Sequence, residues 1–355
     1  VRAVVEDARS FIRYSEDSYD LVVYGLLDSH TLLAGLSGVR LDSYVYTVEA
    51  FIEARQRLAQ GGLLSVSFYV MRAELALKIY RMMEEAFDGV APLALAGYRG
   101  EMTFLHGEDF DPETAIVPDK FKRLTADDWH DLEADPSTDD WPFLYMPVRR
   151  YPVSYMAMIL LLLAVSGILV RPLMGTEAVG TDSARVFSPP CFFLGAGFML
   201  IETKAITELA LAFGSTWQVV GLTIGAILAL AYLANLVVMR FGAPSAVWTY
   251  TALGGAVILG LVLSSRILGT VSPEIDGLML TGVLTLPVFF SGFAFSSELE
   301  KTPSIAVAMA SNLLGAMAGG FLEYNSMYFG FRSLYVLALG LYALAFLTTR
   351  RQRAG

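Results

Sequence analysis

The chain has little cysteine, little histidine and, beyond its first part, little charge. A single cysteine among 355 residues excludes an intrachain disulfide and any cysteine-based metal cluster. The three histidines have no His-x-x-x-His or His-Glu-x-x-His spacing, so we expect no metal site. No run of Lys or Arg is interleaved with aromatic residues and the formal net charge is −10, so nucleic acid is not an expected partner.

Charge is scarce where hydrophobicity is high. Charged residues make up 17% of the chain and hydrophobic residues 55%, with a mean hydropathy of +0.54, which is too apolar for a soluble protein of this length. Up to Pro152 there are 26 acidic and 15 basic residues, whereas the rest of the chain has 9 and 10. The boundary near Pro152 therefore separates a water-soluble part from a part whose partner is the lipid bilayer.

Seven apolar stretches of the second part are long enough to cross hydrocarbon as helices. They are 153–170, 190–213, 217–239, 246–265, 277–296, 304–322 and 329–348. We predict an all-α polytopic membrane domain over 153–349, followed by a basic tail over 350–355. If the C-terminal tail is cytoplasmic, seven basic residues lie on the cytoplasmic side of the membrane and four on the other side. The same orientation would put the soluble part outside the cytoplasm. The charge bias therefore leaves the orientation open.

The soluble part shows strand patterns that alternate with helix patterns. Strands are predicted at Val1–Glu6, Tyr19–Val23 and Gly62–Phe68, and helices at 46–59 and Tyr69–Phe87. Two antiparallel edge strands are expected within 90–106. Such alternation predicts a parallel sheet, that is, a partial Rossmann-like α/β domain over 1–106, with a polar excursion and linker over 107–152.

Polar residues follow the first two predicted strands, where ligands bind in open α/β sheets. Asp7, Ala8 and Arg9 follow the first, and Asp28 and His30 follow the second. An acid there accepts hydrogen bonds from an adenine amino group or a ribose hydroxyl, although Asp7 fits equally well as a helix cap. His30 is a candidate general base near neutral pH, but a lone loop histidine is more often an ordinary polar residue.

Several segments together resemble the membrane-fused branch of the spermidine synthase-like family, which has the S-adenosylmethionine methyltransferase fold. They include 4–9 (VVEDAR), 19–23, 46–51 (YTVEAF), 58–64, 138–145 (TDDWPFLY), 195–204 and 213–217. The resemblance implies that Asp7, with Ala8 and Arg9 beside it, contacts S-adenosylmethionine or its decarboxylated form. It also implies that Asp28 holds an amine substrate, that the membrane is the bacterial cytoplasmic membrane, and that the soluble part is cytoplasmic.

This chain departs from the family pattern in two places. The first acid of the family's Asp-Ser-Ser-Asp motif falls on Gly25, which counts against polyamine synthesis. The family's glycine-rich loop and ribose-binding acid belong to earlier strands, so we expect the chain to be the C-terminal part of a longer protein, with an incomplete cofactor site. The expected function is that of a membrane-bound transferase acting on an amine or other small substrate. The alternative is a transporter or sensor of an amine or nucleoside ligand, with a vestigial transferase lobe.

Charged residues also occur inside one apolar stretch, where uncompensated charge is costly. Lys204 and Glu208 are four residues apart and are predicted to pair on one helix face. Glu202 faces elsewhere, so we expect it to contact a polar group of another span, Asn235 or Asn312. These five residues indicate either a translocation path or a structural ion network. Gly315 and Gly319 predict a close helix contact.

Overall fold

The computed structural model describes residues 3–25, 44–70, 72–97, 100–176, 187–213, 217–267, 270–302 and 304–354. The chain forms two compact units. We call Val1–Arg149, with Leu209–Val219 and Gly269–Gly277, the N-terminal unit, and the remaining residues the bundle unit. The main boundary therefore falls close to Pro152, where the composition changes, but two short segments of the apolar half belong to the N-terminal unit.

The described part of the N-terminal unit contains a five-stranded mixed sheet. Its strands are β1 (Tyr19–Gly25), β2 (Leu58–Tyr69), β3 (Leu93–Ala96), β4 (Glu101–His106) and β5 (Lys122–Leu124), in the order β1-β2-β4-β3-β5. Strands β1 and β2 are parallel, and the other pairs are antiparallel. The prediction of a parallel sheet therefore holds for one pair only.

Three sequence-based predictions about strands and helices are wrong in detail. Residues 3–6 are not a strand, and the exposed Val4 and Val5 bury no surface that would stabilise one. The predicted helix over 46–59 ends at Arg55, because the chain enters β2 at Leu58. The antiparallel hairpin in 90–106 exists, but β4 pairs on both sides and β3 pairs with β5, so neither is an edge strand.

Three helices cover the sheet: α1 (Ala8–Tyr14), α2 (Val48–Arg55) and α3 (Ala73–Ala86). Thr47 caps α2 by accepting a hydrogen bond from the Ala50 N–H, which satisfies a backbone donor that the helix leaves free. The core of the unit contains side chains from both layers, including Phe51 of α2, Ile79 of α3 and Val66 of β2. Burial of these apolar side chains holds the helices on the sheet.

Helix α1 also contacts the two later segments of the N-terminal unit. Arg13 Nη1 donates to the Leu211 carbonyl at 2.9 Å, and the Tyr14 hydroxyl donates to Asp276 Oδ2 at 2.8 Å. Asp276 in turn accepts from the Thr270 N–H and hydroxyl. Hydrogen bonds to charged groups therefore tie α1 to residues that are far away in the sequence.

The remaining α-helices are long and apolar, except for the four-residue α10. They are α4 (Val153–Thr176), α5 (Pro189–Phe213), α6 (Trp217–Phe241), α7 (Ala246–Ile267), α8 (Pro273–Lys301), α9 (Ile305–Leu322), α10 (Ser326–Phe329) and α11 (Ser333–Ala354). Among the described residues, six helices are long and apolar enough to cross a membrane, so the chain is an integral membrane protein. The predicted number was seven. The difference is α4, whose described apolar stretch is only Val153–Val165. The basic tail is not separate, because α11 continues to Ala354.

Small residues bring α5 and α9 into close contact. A Cβ atom on Gly315 would overlap the Phe192 carbonyl oxygen, and one on Gly319 would overlap that of Ala196. On the α5 side, a Cβ on Gly195 would overlap the Asn312 carbonyl oxygen. The glycine pattern at 315 and 319 therefore marks a backbone-to-backbone helix contact, as predicted.

Candidate functional site

Asp7 lies at the N-terminus of α1 and caps it. Its Oδ1 accepts hydrogen bonds from the N–H groups of Arg9 at 3.1 Å and Ser10 at 3.0 Å. Ala8 is the first residue of the helix. No residue that the structure describes hydrogen-bonds to Asp7 Oδ2, so this oxygen has capacity for a ligand. The capping role and the expected cofactor contact are therefore compatible.

Arg9 is held in a buried ion network and is only 3% exposed. Two of its nitrogens contact the carboxylate of Asp139 at 2.5 and 2.7 Å, and two contact Glu53, both at 3.2 Å. Its guanidinium also donates to the Tyr44 carbonyl at 2.9 Å. Burial opposes the charge, but Asp139 and Glu53 outweigh it and raise the pKa of Arg9 above its usual range. Arg9 thus has protein partners on both sides of its guanidinium, and its expected contact with a cofactor stays a prediction.

Asp139 joins this network to α2. The Thr47 hydroxyl donates to Asp139 Oδ1 at 2.9 Å, and the Asp139 N–H donates to Glu49 Oε2 at 2.9 Å. Burial, together with the charge of Asp139, raises the pKa of Glu49 to about 7. We call Arg9, Thr47, Glu49, Glu53 and Asp139 the Arg9 network. It brings together three segments on which the family resemblance rests, 4–9, 46–51 and 138–145.

Asp28 and His30, the expected catalytic residues, lie outside the residues that the structure describes. Their predicted position in a common cleft with Asp7 stays a prediction.

A cavity of about 250 Å³ lies at the carboxyl end of β2. It lies among the end of that strand, the first turns of α3 and the segment 144–147. The lining residues are Phe68, Tyr69, Arg72, Glu74, Leu75, Lys78, Leu144, Tyr145 and Pro147. Sequence reasoning missed this cavity, although it placed ligands at the carboxyl ends of strands.

Lys78 is the unusual side chain of this cavity, because it is a lysine with no exposed surface. Its Nζ donates to the carbonyl oxygens of Phe143 and Met146, both at 2.7 Å, and lies 4.2 Å from the Trp141 ring centroid. Burial lowers the pKa of Lys78 to about 7, and the charge of Asp135 only partly opposes this. The sequence did carry a signal, since Lys78 occurs three residues after Leu75 and so on the apolar face of α3.

Lys204 and Glu208 form a buried ion pair within α5. Lys204 Nζ lies 2.7 Å from Glu208 Oε1, as the four-residue spacing predicts. Glu208 also accepts from the Ser264 hydroxyl of α7 at 2.9 Å and the Tyr335 hydroxyl of α11 at 3.3 Å. The Lys204 ammonium lies 5.6 Å from the Tyr335 ring centroid. This arrangement ties three helices together and matches the structural ion network considered above.

The other polar residues of the bundle unit pair between helices. The Ser296 hydroxyl of α8 donates to Asn235 Oδ1 of α6 at 3.1 Å, and Asn312 Nδ2 of α9 donates to the Cys191 carbonyl of α5 at 3.2 Å. Glu202 is half-buried, and no side chain in the described ranges hydrogen-bonds or ion-pairs with it. Both asparagines that we expected to contact Glu202 therefore have other partners.

Within the described ranges, no group of three or more His, Cys, Asp or Glu side chains is arranged to hold a metal ion. Comparisons of the chain with protein-family models, with curated proteins and with solved structures give no match. Inferences about function therefore rest on the geometry above and on the resemblance proposed from the sequence.

Proposed function

We propose that the chain belongs to a membrane-bound transferase of the spermidine synthase-like type. Its N-terminal unit binds S-adenosylmethionine or the decarboxylated form near Asp7 and Ala8, and an amine or other small substrate at the carboxyl end of β1. The membrane in this proposal is the bacterial cytoplasmic membrane, with the N-terminal unit in the cytoplasm. The observation that carries the proposal is the parallel pair β1 and β2, joined through α2. Parallel strands with a helical crossover put their carboxyl ends at one edge, where such folds bind ligands.

The Arg9 network supports the same proposal. It joins α1 to α2 and to the segment 138–145, so it fixes the position of the α1 N-terminus relative to the sheet. Asp7 lies at that N-terminus with Oδ1 occupied by the cap. Its Oδ2 can accept a hydrogen bond from the amino group of adenine. The proposed contact uses this one carboxylate oxygen, so we expect the binding to be weak.

The test is to titrate both adenosyl ligands against the full chain in lipid nanodiscs, by ligand-observed NMR. We expect a Kd of about 1 mM, which corresponds to a binding free energy of about −4 kcal/mol. Asp7→Asn should weaken binding about tenfold, since asparagine caps a helix as well as aspartate but directs an amide N–H at the adenine amino group. Asp17→Asn, at an exposed position, is the matched control and should change nothing.

The outcomes are distinct. Equal binding by wild type and Asp7→Asn, or no saturation at about 10 mM ligand, overturns the proposal. Micromolar binding that depends on Asp7 supports the adenosyl site and contradicts its expected incompleteness.

A second candidate function is transport of a small amine, with the N-terminal unit acting as a ligand sensor. The observation that favours it is the buried pair Lys204 and Glu208, because ionisable residues within spanning helices are costly and commonly functional. Proteoliposomes should then take up a radiolabelled diamine, and Glu208→Gln should abolish the uptake while Asp7→Asn leaves it unchanged. Uptake no greater than that of empty liposomes removes this candidate.

A further inference from the structure

Three helices of the bundle unit end side by side. The Ser296 hydroxyl of α8 donates to Asn235 of α6, and the Thr349 hydroxyl of α11 donates to Glu298 of α8 at 3.3 Å. On α7, the Tyr250 hydroxyl lies 3.4 Å from that of Thr349. These contacts lie within about two turns of the C-terminal ends of α6, α8 and α11 and close to the start of α7. We call this part of the bundle unit the α6–α8–α11 end.

Basic residues gather at the α6–α8–α11 end. Arg240 and Lys301 each come five positions after a residue of the α6–α8 hydrogen bond, and Arg350 and Arg351 directly follow Thr349. A helix rises about 1.5 Å per residue, so the four bases lie within about one turn of a common level. The contacts between the helices thus bring together charges that are far apart in the sequence.

Three of these bases have no acidic partner among the described residues. Arg240, Arg350 and Arg351 are exposed, and no hydrogen bond or ion pair joins them to another residue in the described ranges. Arg350 lies over the Phe346 ring, 5.7 Å from its centroid, which leaves the edge of the guanidinium available. These three side chains can therefore meet an anion.

Two acids of the described ranges lie at the same end. Glu298 is buried and accepts the hydrogen bond from Thr349, whereas Glu300 is exposed. Lys301, next to Glu300, donates to the Ser297 hydroxyl. Four bases outnumber two acids, so the α6–α8–α11 end keeps a net positive charge.

Exposed aromatic residues lie beside the bases. Phe241 directly follows Arg240 and is 81% exposed, and Trp248, in the first turn of α7, is 53% exposed. Aromatic side chains are enriched where spanning helices meet the lipid headgroups, and long basic side chains at helix ends extend to the same level. The α6–α8–α11 end therefore combines positive charge with apolar surface at the boundary of the membrane.

We propose that the α6–α8–α11 end binds anionic phospholipid. The headgroup phosphate pairs with Arg240, Arg350 and Arg351, and the acyl chains pack against Phe241 and Trp248. Arginine suits this partner, because its planar guanidinium donates two hydrogen bonds to one phosphate. The proposal rests on residues that neither candidate function uses, so it does not depend on them.

Trp248 itself can report which lipid lies beside it. The full chain carries Trp217→Phe, so that Trp248 is the one tryptophan of the apolar half, and is reconstituted in phosphatidylcholine vesicles. Phosphatidylglycerol with brominated acyl chains is added in increasing fractions, because bromine quenches nearby tryptophan fluorescence. Brominated phosphatidylcholine is the reference. We expect phosphatidylglycerol to be preferred next to Trp248 at least about fivefold, and less so as salt is added.

The variants test which charges cause the preference. Arg240→Gln should reduce it about twofold, and the triple variant Arg240→Gln, Arg350→Gln, Arg351→Gln should abolish it. Arg266→Gln is the matched control and should change nothing. Arg266 is also exposed and in the last turn of its helix, but it lies about 27 Å along α7 from Trp248.

Each outcome decides for or against the site. Equal quenching by the two brominated lipids, a preference that survives the triple variant, or one that Arg266→Gln lowers as much as Arg240→Gln overturns the proposal. Inorganic phosphate at constant ionic strength should not displace the lipid, and displacement would show a site for a free anion instead. Circular dichroism shows whether the triple variant folds. If it does not fold, the single variants Arg240→Gln and Arg350→Gln decide, because a true site loses preference in both.

Discussion

The two units each bury a lysine, and they stabilise its charge in different ways. In the bundle unit, Lys204 pairs with Glu208 one turn along the same helix, and Glu208 accepts two further hydrogen bonds from hydroxyl groups of other helices. In the N-terminal unit, the described partners of Lys78 are the carbonyl oxygens of Phe143 and Met146 and the Trp141 ring. One lysine belongs to a closed ion pair, and the other is a cation that lines a cavity.

The difference shows how each unit compensates the charge of a buried lysine. A paired charge that is hydrogen-bonded on all sides gains little from a further partner, and its removal leaves its neighbours unsatisfied. A charge with only dipolar partners gains from a counter-ion, and its ionisation depends on pH within the physiological range. The Lys204–Glu208 pair therefore stabilises the helix contacts of the bundle unit, whereas Lys78 ties α3 to the carbonyls of Phe143 and Met146 at the cost of an easily lost charge.

The largest expected effect on stability follows from removing Glu208 from its ion pair with Lys204. Glu208→Leu leaves Lys204 without its carboxylate and removes the acceptor of Ser264 and Tyr335, which should lower the stability of the chain by about 3–5 kcal/mol. The measurement is thermal unfolding of the full chain in detergent. Glu208→Gln should cost less, because the amide oxygen still accepts hydrogen bonds. The double variant Lys204→Met, Glu208→Leu should recover most of the loss, and a double variant as unstable as Glu208→Leu would contradict the pairing.

A smaller effect is expected in the way stability depends on pH, which the titration of Lys78 influences. The pKa of Lys78 is about 7 in the folded chain, below the value of roughly 10.4 for an unfolded lysine. Between these values the unfolded chain binds more protons, so this group makes stability rise with pH, by up to about 1.4 kcal/mol per pH unit. Lys78→Met should lose this rise when unfolding is followed from pH 7 to 10, and Lys120→Met should keep it. If the stability of wild type and of Lys78→Met depends on pH in the same way, burial does not lower the pKa of Lys78.

The smallest effect is expected at Glu202. Since no described residue pairs with it, Glu202→Leu removes no hydrogen bond and should not lower stability, because an unpaired carboxylate within an apolar span is itself costly. Asn312→Ala is the comparison, because it removes the hydrogen bond to the Cys191 carbonyl and should cost about 0.6–1.7 kcal/mol. A loss of 2 kcal/mol or more in Glu202→Leu would mean that Glu202 has a polar partner, as the sequence alone led us to expect.

The local rules of sequence reading succeeded where the interacting residues are near in sequence. The spacing of Lys204 and Glu208 and the pair of glycines at 315 and 319 specified contacts that the structure contains. The same rules failed at residues 3–6, where the exposed Val4 and Val5 were interpreted as part of a strand. They also could not choose a partner for Glu202, because periodicity gives the face of a helix and not the neighbour on that face.

The sequence by itself determined that the chain enters a membrane, because the length and the hydrophobicity of an apolar stretch are properties of residues that are neighbours in the sequence. Only the tertiary structure decided that Asp7 caps a helix, that Arg9 is neutralised by Asp139 and that Lys78 lines a cavity. Arg9 and Asp139 are 130 residues apart, and Lys78 and Phe143 are 65 apart. Contacts over such separations depend on how strands and helices pack, and the pattern of one segment does not encode them.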